Sequence, residues 1–212
     1  MLNFPEAMNR LFFLWICCSL CMLTGCSRQL DVPEYIGFVQ DNGLFNKSKQ
    51  IGQFVLKTTW YPADYLALSE LKNTPPDQLT GEMVSNQSAM FEDAVYIRFT
   101  ISREDGENVM KYGVTTREMY VSRQMYMENH MNDHLTMLCG RKEYRPLLVT
   151  LQRSYGMSPD VIFMVVFPRP QPEKGAGNRL IITYSDPYYG LGATSFEYDA
   201  TDLIEYKSRL RI

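Results

Sequence analysis

The stretch Val95-Tyr96-Ile97-Arg98-Phe99-Thr100-Ile101-Ser102 alternates apolar and polar residues without a slip. A period of two is what a half-buried strand needs, because successive side chains point to opposite faces. On a helix the same apolar residues would be scattered around the circumference. The chain must therefore build a sheet with one buried face. The pattern recurs. Phe54, Leu56 and Trp60 share a face with Thr58, while Lys57 and Thr59 face the other way. Leu147, Val149 and Leu151 alternate, as do Leu180, Ile182 and Tyr184, and then Phe196 and Tyr198. Val161 to Phe167 is continuously apolar, which predicts a central strand covered on both faces.

Turn chemistry separates these runs. Asp105-Gly106 followed by alternating Met110, Tyr112 and Val114 predicts a hairpin. Tyr155-Gly156, Asp186-Pro187 and Gly190 to Gly192 predict further turns, and Pro168 to Gly177 a long exposed hairpin connection. Pro62 opens a short helix, with Asp64 in its first turn and a buried stripe of Tyr65, Leu68 and Leu71. Residues 74–92 are expected to be a surface loop with a weak helical turn near Met90. Residues 117–138 lack Gly and Pro and predict a longer helix, capped by Gly140. Thr201 or Asp202 caps a last helical turn through Leu203 and Tyr206. Nothing alternates as βαβ. The expected class is α+β, a mainly antiparallel β-sandwich-like domain of about seven strands with one short and one longer helix.

The N-terminus has another character. Arg10 precedes an apolar run from Leu11 to Met22, too short for the roughly 20 residues that span a bilayer. The run shows no polar face, unlike a core helix. Met8-Asn9-Arg10 suits a basic signal start better than Pro5 and Glu6, so the translation start is open between Met1 and Met8, with Met8 the better fit. Leu23-Thr24-Gly25-Cys26 then resembles the lipobox of bacterial lipoproteins. The resemblance implies that residues 1–25 are a signal peptide, and that Cys26 becomes the N-terminus and carries diacylglycerol on its sulfur. In lipoproteins of the enteric type an Asp after the cysteine holds the protein at the inner membrane, so by that resemblance Ser27 implies the outer one; some envelope systems export lipoproteins through an acidic cluster there, and its absence from Ser27-Arg28-Gln29-Leu30 implies the periplasmic face. Residues 26–50 then form the lipidated N-terminus and tether, within which Tyr35, Ile36, Phe38 and Val39 could still add an edge element, and residues 51–212 the globular domain. Asn42-Gly43-Leu44, Trp60-Tyr61-Pro62 and Phe196-Glu197-Tyr198 are similar to uncharacterised envelope lipoproteins of the Bacteroidetes type, which implies location and fold but no activity.

The anchor settles the cysteine count. Of five cysteines, Cys17, Cys18 and Cys21 lie in the signal and Cys26 is the lipid site, so Cys139 is left alone. An exported domain with one thiol has no disulfide framework, and its stability must come from packing. Cys139 is expected to be a small buried hydrophobe. The formal net charge of −3 gives no reason to expect nucleic acid as a partner.

The densest chemical cluster is Met119, Met125, Met127, His130, Met131, His134, Met137 and Cys139. His130 and His134, the only histidines, are four apart and on a helix would share a face, where they could hold Zn or Cu. A zincin motif needs Glu directly after the first His, and Met131 stands there. Methionine also fills helix cores, so packing accounts for the same residues. Glu197, Asp199, Asp202 and Glu205 form an acidic group that reads as a solvated face, or as paired carboxylates for Ca²⁺ or a glycosidase. Arg141-Lys142-Glu143-Tyr144-Arg145 is a short basic patch, a solvated turn or a contact for phosphate headgroups. Tyr184, Tyr188 and Tyr189 beside Pro187 would make a stacking platform for a glycan. There is no Gly-x-Ser-x-Gly elbow and no phosphate-cradling loop after a strand.

Three functions remain open at this level. The leading one is a non-enzymatic envelope lipoprotein, anchored through lipid on Cys26, whose domain meets an envelope protein partner or has a structural role. The second is a small-ligand module, with metal at His130 and His134 or a glycan at the tyrosine-rich loops. The third is a hydrolase with a dispersed site. No catalytic or cofactor-binding residue is assigned.

Overall fold

The computed structural model describes residues 29–153, 157–171, 179–204, 206 and 208–212. Within them lie nine strands in two sheets, every paired neighbour antiparallel. The strands are β1 (Asn46–Ile51), β2 (Phe54–Tyr61), β3 (Ala94–Arg103), β4 (Leu135–Cys139), β5 (Lys142–Tyr144), β6 (Leu148–Gln152), β7 (Val161–Pro168), β8 (Arg179–Ser185) and β9 (Ala193–Asp199). One sheet has the order β1-β2-β3-β7-β6 and the other β5-β4-β8-β9. The fold is an α+β sandwich, as the alternation predicts.

The core lies between the sheets. Phe99 and Phe163 from the larger sheet stack at 6.3 Å, and Phe99 meets Tyr184 and Phe196 of the smaller sheet at 4.8 and 6.4 Å. All four are buried. Val95, Ile97, Phe99 and Ile101 all point inward, so a one-residue slip of β3 would turn the whole set to its outer face. Thr58, facing the core among apolar neighbours, is satisfied by a 2.7 Å hydrogen bond with the Tyr198 hydroxyl. That bond joins β2 to β9 across the sandwich.

Helices cover the ends and flanks. They are α1 (Val32–Asp41), α2 (Ala63–Glu70), α3 (Gly81–Ala89), α4 (Arg117–Asn129) and α5 (Ala200–Ile204). Asp31 caps α1 by accepting from the Glu34 N–H at 3.0 Å, and Pro33 sits in its first turn. Thr80 caps α3 and Thr116 caps α4 in the same way. No helix among the described residues is long and apolar enough to cross a membrane.

Several expectations are corrected. The tether assigned to residues 26–50 is folded from Leu30 onward: Tyr35 and Val39 of α1 are buried, and β1 is an edge strand. Its polar sequence, Asn-Lys-Ser-Lys-Gln, is what an edge facing water tolerates. Residues 81–89 form α3 where a loop was expected. The hairpin through Met110, Tyr112 and Val114 does not form. Gly106 does turn the chain at φ +72°, but β3 already has β2 on one edge and β7 on the other. Residues Val109–Lys111 instead make a 3-10 turn with Val109 buried. The long helix stops at Asn129, and a 3-10 turn over Met131–His134 redirects the chain into β4, where Leu135, Met137 and Cys139 alternate inward. Gly140 is therefore no helix cap. It stands at φ +60° in the two-residue turn between Cys139 and Lys142, where a left-handed residue closes the β4–β5 hairpin. Cys139 is buried, as expected.

Strand β7 buries one face completely and the other only in part, not both. The connection from Pro168 is not a hairpin, because β7 and β8 belong to different sheets. Its residues 172–178 and the turn at Tyr155-Gly156 lie outside the described residues. Asp199, not Thr201 or Asp202, caps α5, accepting from the Thr201 N–H at 2.8 Å.

Candidate functional site

The strand registers define two ends of the sandwich. One end carries Trp60, Ala94 and Pro168, and the other Phe54, Arg103 and Val161. A cleft of about 500 Å³ opens at the first end, between α2, α3, α5 and the C-terminal residues. Trp60, Phe91, Val84 and Leu203 give it apolar walls. This is the size at which small-molecule sites occur, and two of its polar groups, Asp64 and Arg169, are engaged within the protein. Asp64, second residue of α2 and only 9% exposed, accepts from the Tyr35 hydroxyl at 2.6 Å, from the Tyr65 N–H at 3.0 Å and from the Ser208 hydroxyl. Burial, and then the Asp64 carboxylate, push the Tyr35 hydroxyl's ionisation far above the ordinary tyrosine range. The Arg169 guanidinium donates to the Glu92 carbonyl at 2.6 Å and to the Ile204 carbonyl at 2.9 Å. These groups pin α1, α2 and the C-terminal residues together.

The predicted histidine cluster lies at the other end. His130 is the exposed C-cap of α4 and His134 closes the 3-10 turn, so the two do not share a helical face. They meet nonetheless on one tyrosine. The Tyr126 ring is 4.9 Å from the His130 ring and 5.7 Å from the His134 ring, and the Tyr126 hydroxyl lies 2.7 Å from His134 Nε2. One ring nitrogen of the pair is thus already engaged. Among the described residues, no group of three His, Cys, Asp or Glu is placed to hold a metal ion. Of the methionines, Met127, Met131 and Met137 are core, while Met119 and Met125 are exposed.

Sequence reasoning missed Arg123, the residue that holds α4 in place. It is 7% exposed, and Nη1 donates to the Met110 carbonyl at 3.2 Å and the Tyr112 carbonyl at 2.6 Å. Its guanidinium lies over the rings of Tyr188 and Tyr189, at 5.2 and 5.3 Å. Asp186 shapes the loop that presents those rings, accepting from the Tyr184 hydroxyl and the Tyr188, Tyr189 and Leu191 N–H groups. One signal was available: Arg123 stands four residues before Met127, on the same inward face.

The expected glycan platform is corrected by burial: Tyr184 is core, Tyr189 is buried under Phe54 and Tyr112, and Tyr188 is half-buried against Tyr126. Glu197 and Asp199 do share an exposed face of β9, with Glu197 paired to Arg179 at 2.8 Å. The side chains of Asp202 and Glu205 lie outside the described residues. Arg141, Lys142 and Arg145 are exposed around the β4–β5 turn, with Arg145 3.6 Å from Glu143.

Comparison with known proteins adds little. No family model matches the chain, and no curated protein does. Two solved structures resemble it at low similarity. One is a protein of unknown function from Burkholderia pseudomallei, with 11% identity, 78% of this chain and 84% of that chain covered, and a TM-score of 0.34. The other is a DUF4426 family protein from Pseudomonas aeruginosa, with 9% identity, 74% and 94% covered, and a TM-score of 0.33. Function is therefore argued from this chain's own residues.

Proposed function

We propose that the chain is a membrane-anchored envelope lipoprotein, held by lipid on Cys26 at the periplasmic face of the outer membrane, and that its domain works by binding an envelope protein rather than by catalysis. The anchor reading is supported by the apolar run ending in Leu23-Thr24-Gly25-Cys26. The interaction reading rests on one observation. Val121 and Met125, one turn apart on the outward face of α4, are 43% and 59% exposed. They border an open groove shared with Tyr126 and His130. The inward side of that helix is tied down by Arg123 and its rim by the Glu128–Arg153 ion pair. A rigid helix offering a flexible methionine beside a groove is a surface that a partner's side chain can fill.

The test is site-specific photocrosslinking in intact envelopes, with the probe at Met125 and a control probe at exposed Glu197. A discrete protein adduct from Met125 and none from Glu197 supports the reading. Recovery of the free lipoprotein alone from both positions refutes it.

A further inference from the structure

We infer that the sandwich stands on the membrane with one defined end down: the end carrying Leu30, Leu210 and the cleft faces the lipid headgroups, and α4 points away from them. This rests on the anchor at Cys26 proposed above. Its carrier is the short distance between the anchor and the first fixed point of the fold. Leu30 is locked to the C-terminal residues: its N–H donates to the Arg209 carbonyl at 2.7 Å, and the Arg211 N–H donates to its carbonyl at 2.8 Å. Three residues, Ser27, Arg28 and Gln29, separate Cys26 from Leu30, a span of four Cα-to-Cα steps. Four such steps do not reach beyond about 14 Å, so Leu30 must stay within that distance of the lipid-bearing cysteine.

Leu30 lies at an extremity of the domain. Leu210 lines the cleft with Trp60 and Asp64, and Ser208 is bonded to Asp64, which places the pair at the Trp60 end of β2. The eight residues of β2 run away from there for about 26 Å, to Phe54, which packs on Tyr112 and Tyr189. Arg123 ties α4 to the loop of Tyr112 and to Tyr189, so the helix belongs to the far end. A tether about half as long as the sheet does not let the domain invert, with that end on the headgroups and Leu30 raised the full length of β2 above them.

The near end also suits a phosphate layer. The β4–β5 turn lies there, because the Tyr144 hydroxyl accepts from the Gln171 N–H just beyond β7. Arg141, Lys142, Arg209 and Arg211 are exposed at this end, and Ile212 is 47% exposed. Asp31, Glu34, Glu92 and Asp93 share it and offset that charge. Charge alone gives no strong preference, and the short tether excludes the inverted placement. Two consequences follow: the cleft opens beside the bilayer, and the exposed face of α4 is presented to the aqueous side, where a protein partner can reach it.

The experiment uses the lipidated protein purified from membranes and reconstituted in phosphatidylethanolamine/phosphatidylglycerol vesicles. A fluorophore is placed on Arg211→Cys or on Glu107→Cys; Cys139 is buried and does not compete. A nitroxide on the lipid headgroup is the quencher, and the mass of the N-terminal peptide is read from the same sample. The expected result is lipidated Cys26 with Arg211→Cys quenched several-fold more than Glu107→Cys. Inserting about twelve Gly/Ser residues after Arg28 should shrink that contrast, because such a linker adds roughly 20 Å of reach. Lipidated protein with equal quenching at both sites overturns the orientation alone. A contrast untouched by the insertion overturns the tether as its cause. An N-terminus without lipid overturns the anchor reading and the orientation with it.

Discussion

Removing the Asp64 carboxylate should loosen the end of the domain nearest the anchor, and the size of the effect can be worked out. Tyr35 is fully buried, and its hydroxyl donates to Asp64 at 2.6 Å across 29 residues of sequence. In Asp64→Ala that hydroxyl has lost its acceptor, which costs ~1–3 kcal/mol, with the upper part of the range applying because the acceptor is charged. The first turn of α2 also loses a favourable negative charge, about 0.5 kcal/mol. Ser208 is exposed and turns to water at little cost. The total is about 3 kcal/mol, or roughly 1.5 M in the urea midpoint at a slope of ~2 kcal/mol/M. Tyr35→Phe removes the stranded hydroxyl itself. In that background Asp64→Ala should cost about 1.5 kcal/mol less, a coupling that a double-mutant cycle isolates. Urea unfolding followed by circular dichroism measures all four proteins. Additive single costs, or a midpoint unchanged in Asp64→Ala, would refute the hub.

Arg123→Met should destabilise by ~3 kcal/mol, because the Met110 and Tyr112 carbonyls lose a charged donor and two tyrosine faces lose their cation; Arg123→Lys should recover only part, since a single ammonium cannot reproduce the planar fork. Faster amide exchange confined at first to residues 108–116 is the accompanying sign. Burial raises the ionisation of Tyr35, Tyr184 and Tyr198, and carboxylates beside the first two raise it further. Both states keep these protons below pH ~10, so stability is full there; above it the unfolded chain ionises and the folded one does not, and stability falls as pH rises. A tyrosinate titration should show exposed tyrosines ionising reversibly, and a second step that coincides with loss of circular dichroism. One single step with the fold intact would contradict this burial. Titration with Zn(II) and Cu(I) should give equal uptake by the protein and by its His130→Ala/His134→Ala variant, which would end the metal reading; uptake lost in the variant would support it.

Strands were legible where one face meets the core. β2, β3, β6, β7, β8 and β9 all follow from alternation or from a continuous apolar run, because burial on one side writes itself into every second residue. β1 left no such mark, since as an edge strand with its central residues exposed it needs no apolar face. β4 was hidden inside a stretch of good helix formers, and its alternation emerges only after the 3-10 turn at Met131–His134. The false hairpin at Met110 shows the reverse error. Local alternation was real, but pairing depends on a free edge, and β3 had none.

The site residues divide in the same way. Asp64 was readable as a helix-start carboxylate, but its partners lie 29 and 144 residues away. Tyr184 and Tyr189 looked exposed because a Pro/Gly-rich turn surrounds them; the second sheet and the Arg123 guanidinium cover them, and neither is local information. His130 and His134 did come together, by way of Tyr126 and not by helical spacing.

Both the proposed location and the proposed orientation rest on lipid at Cys26. Mass spectrometry of the N-terminal peptide of the protein recovered from membranes tests it directly, beside a Cys26→Ser variant labelled with fatty acid. The expected result is a chain that begins at Cys26 with a diacylglyceryl thioether, and no fatty acid in the variant. A chain that retains residues 1–25, or one with an unmodified Cys26, would contradict it.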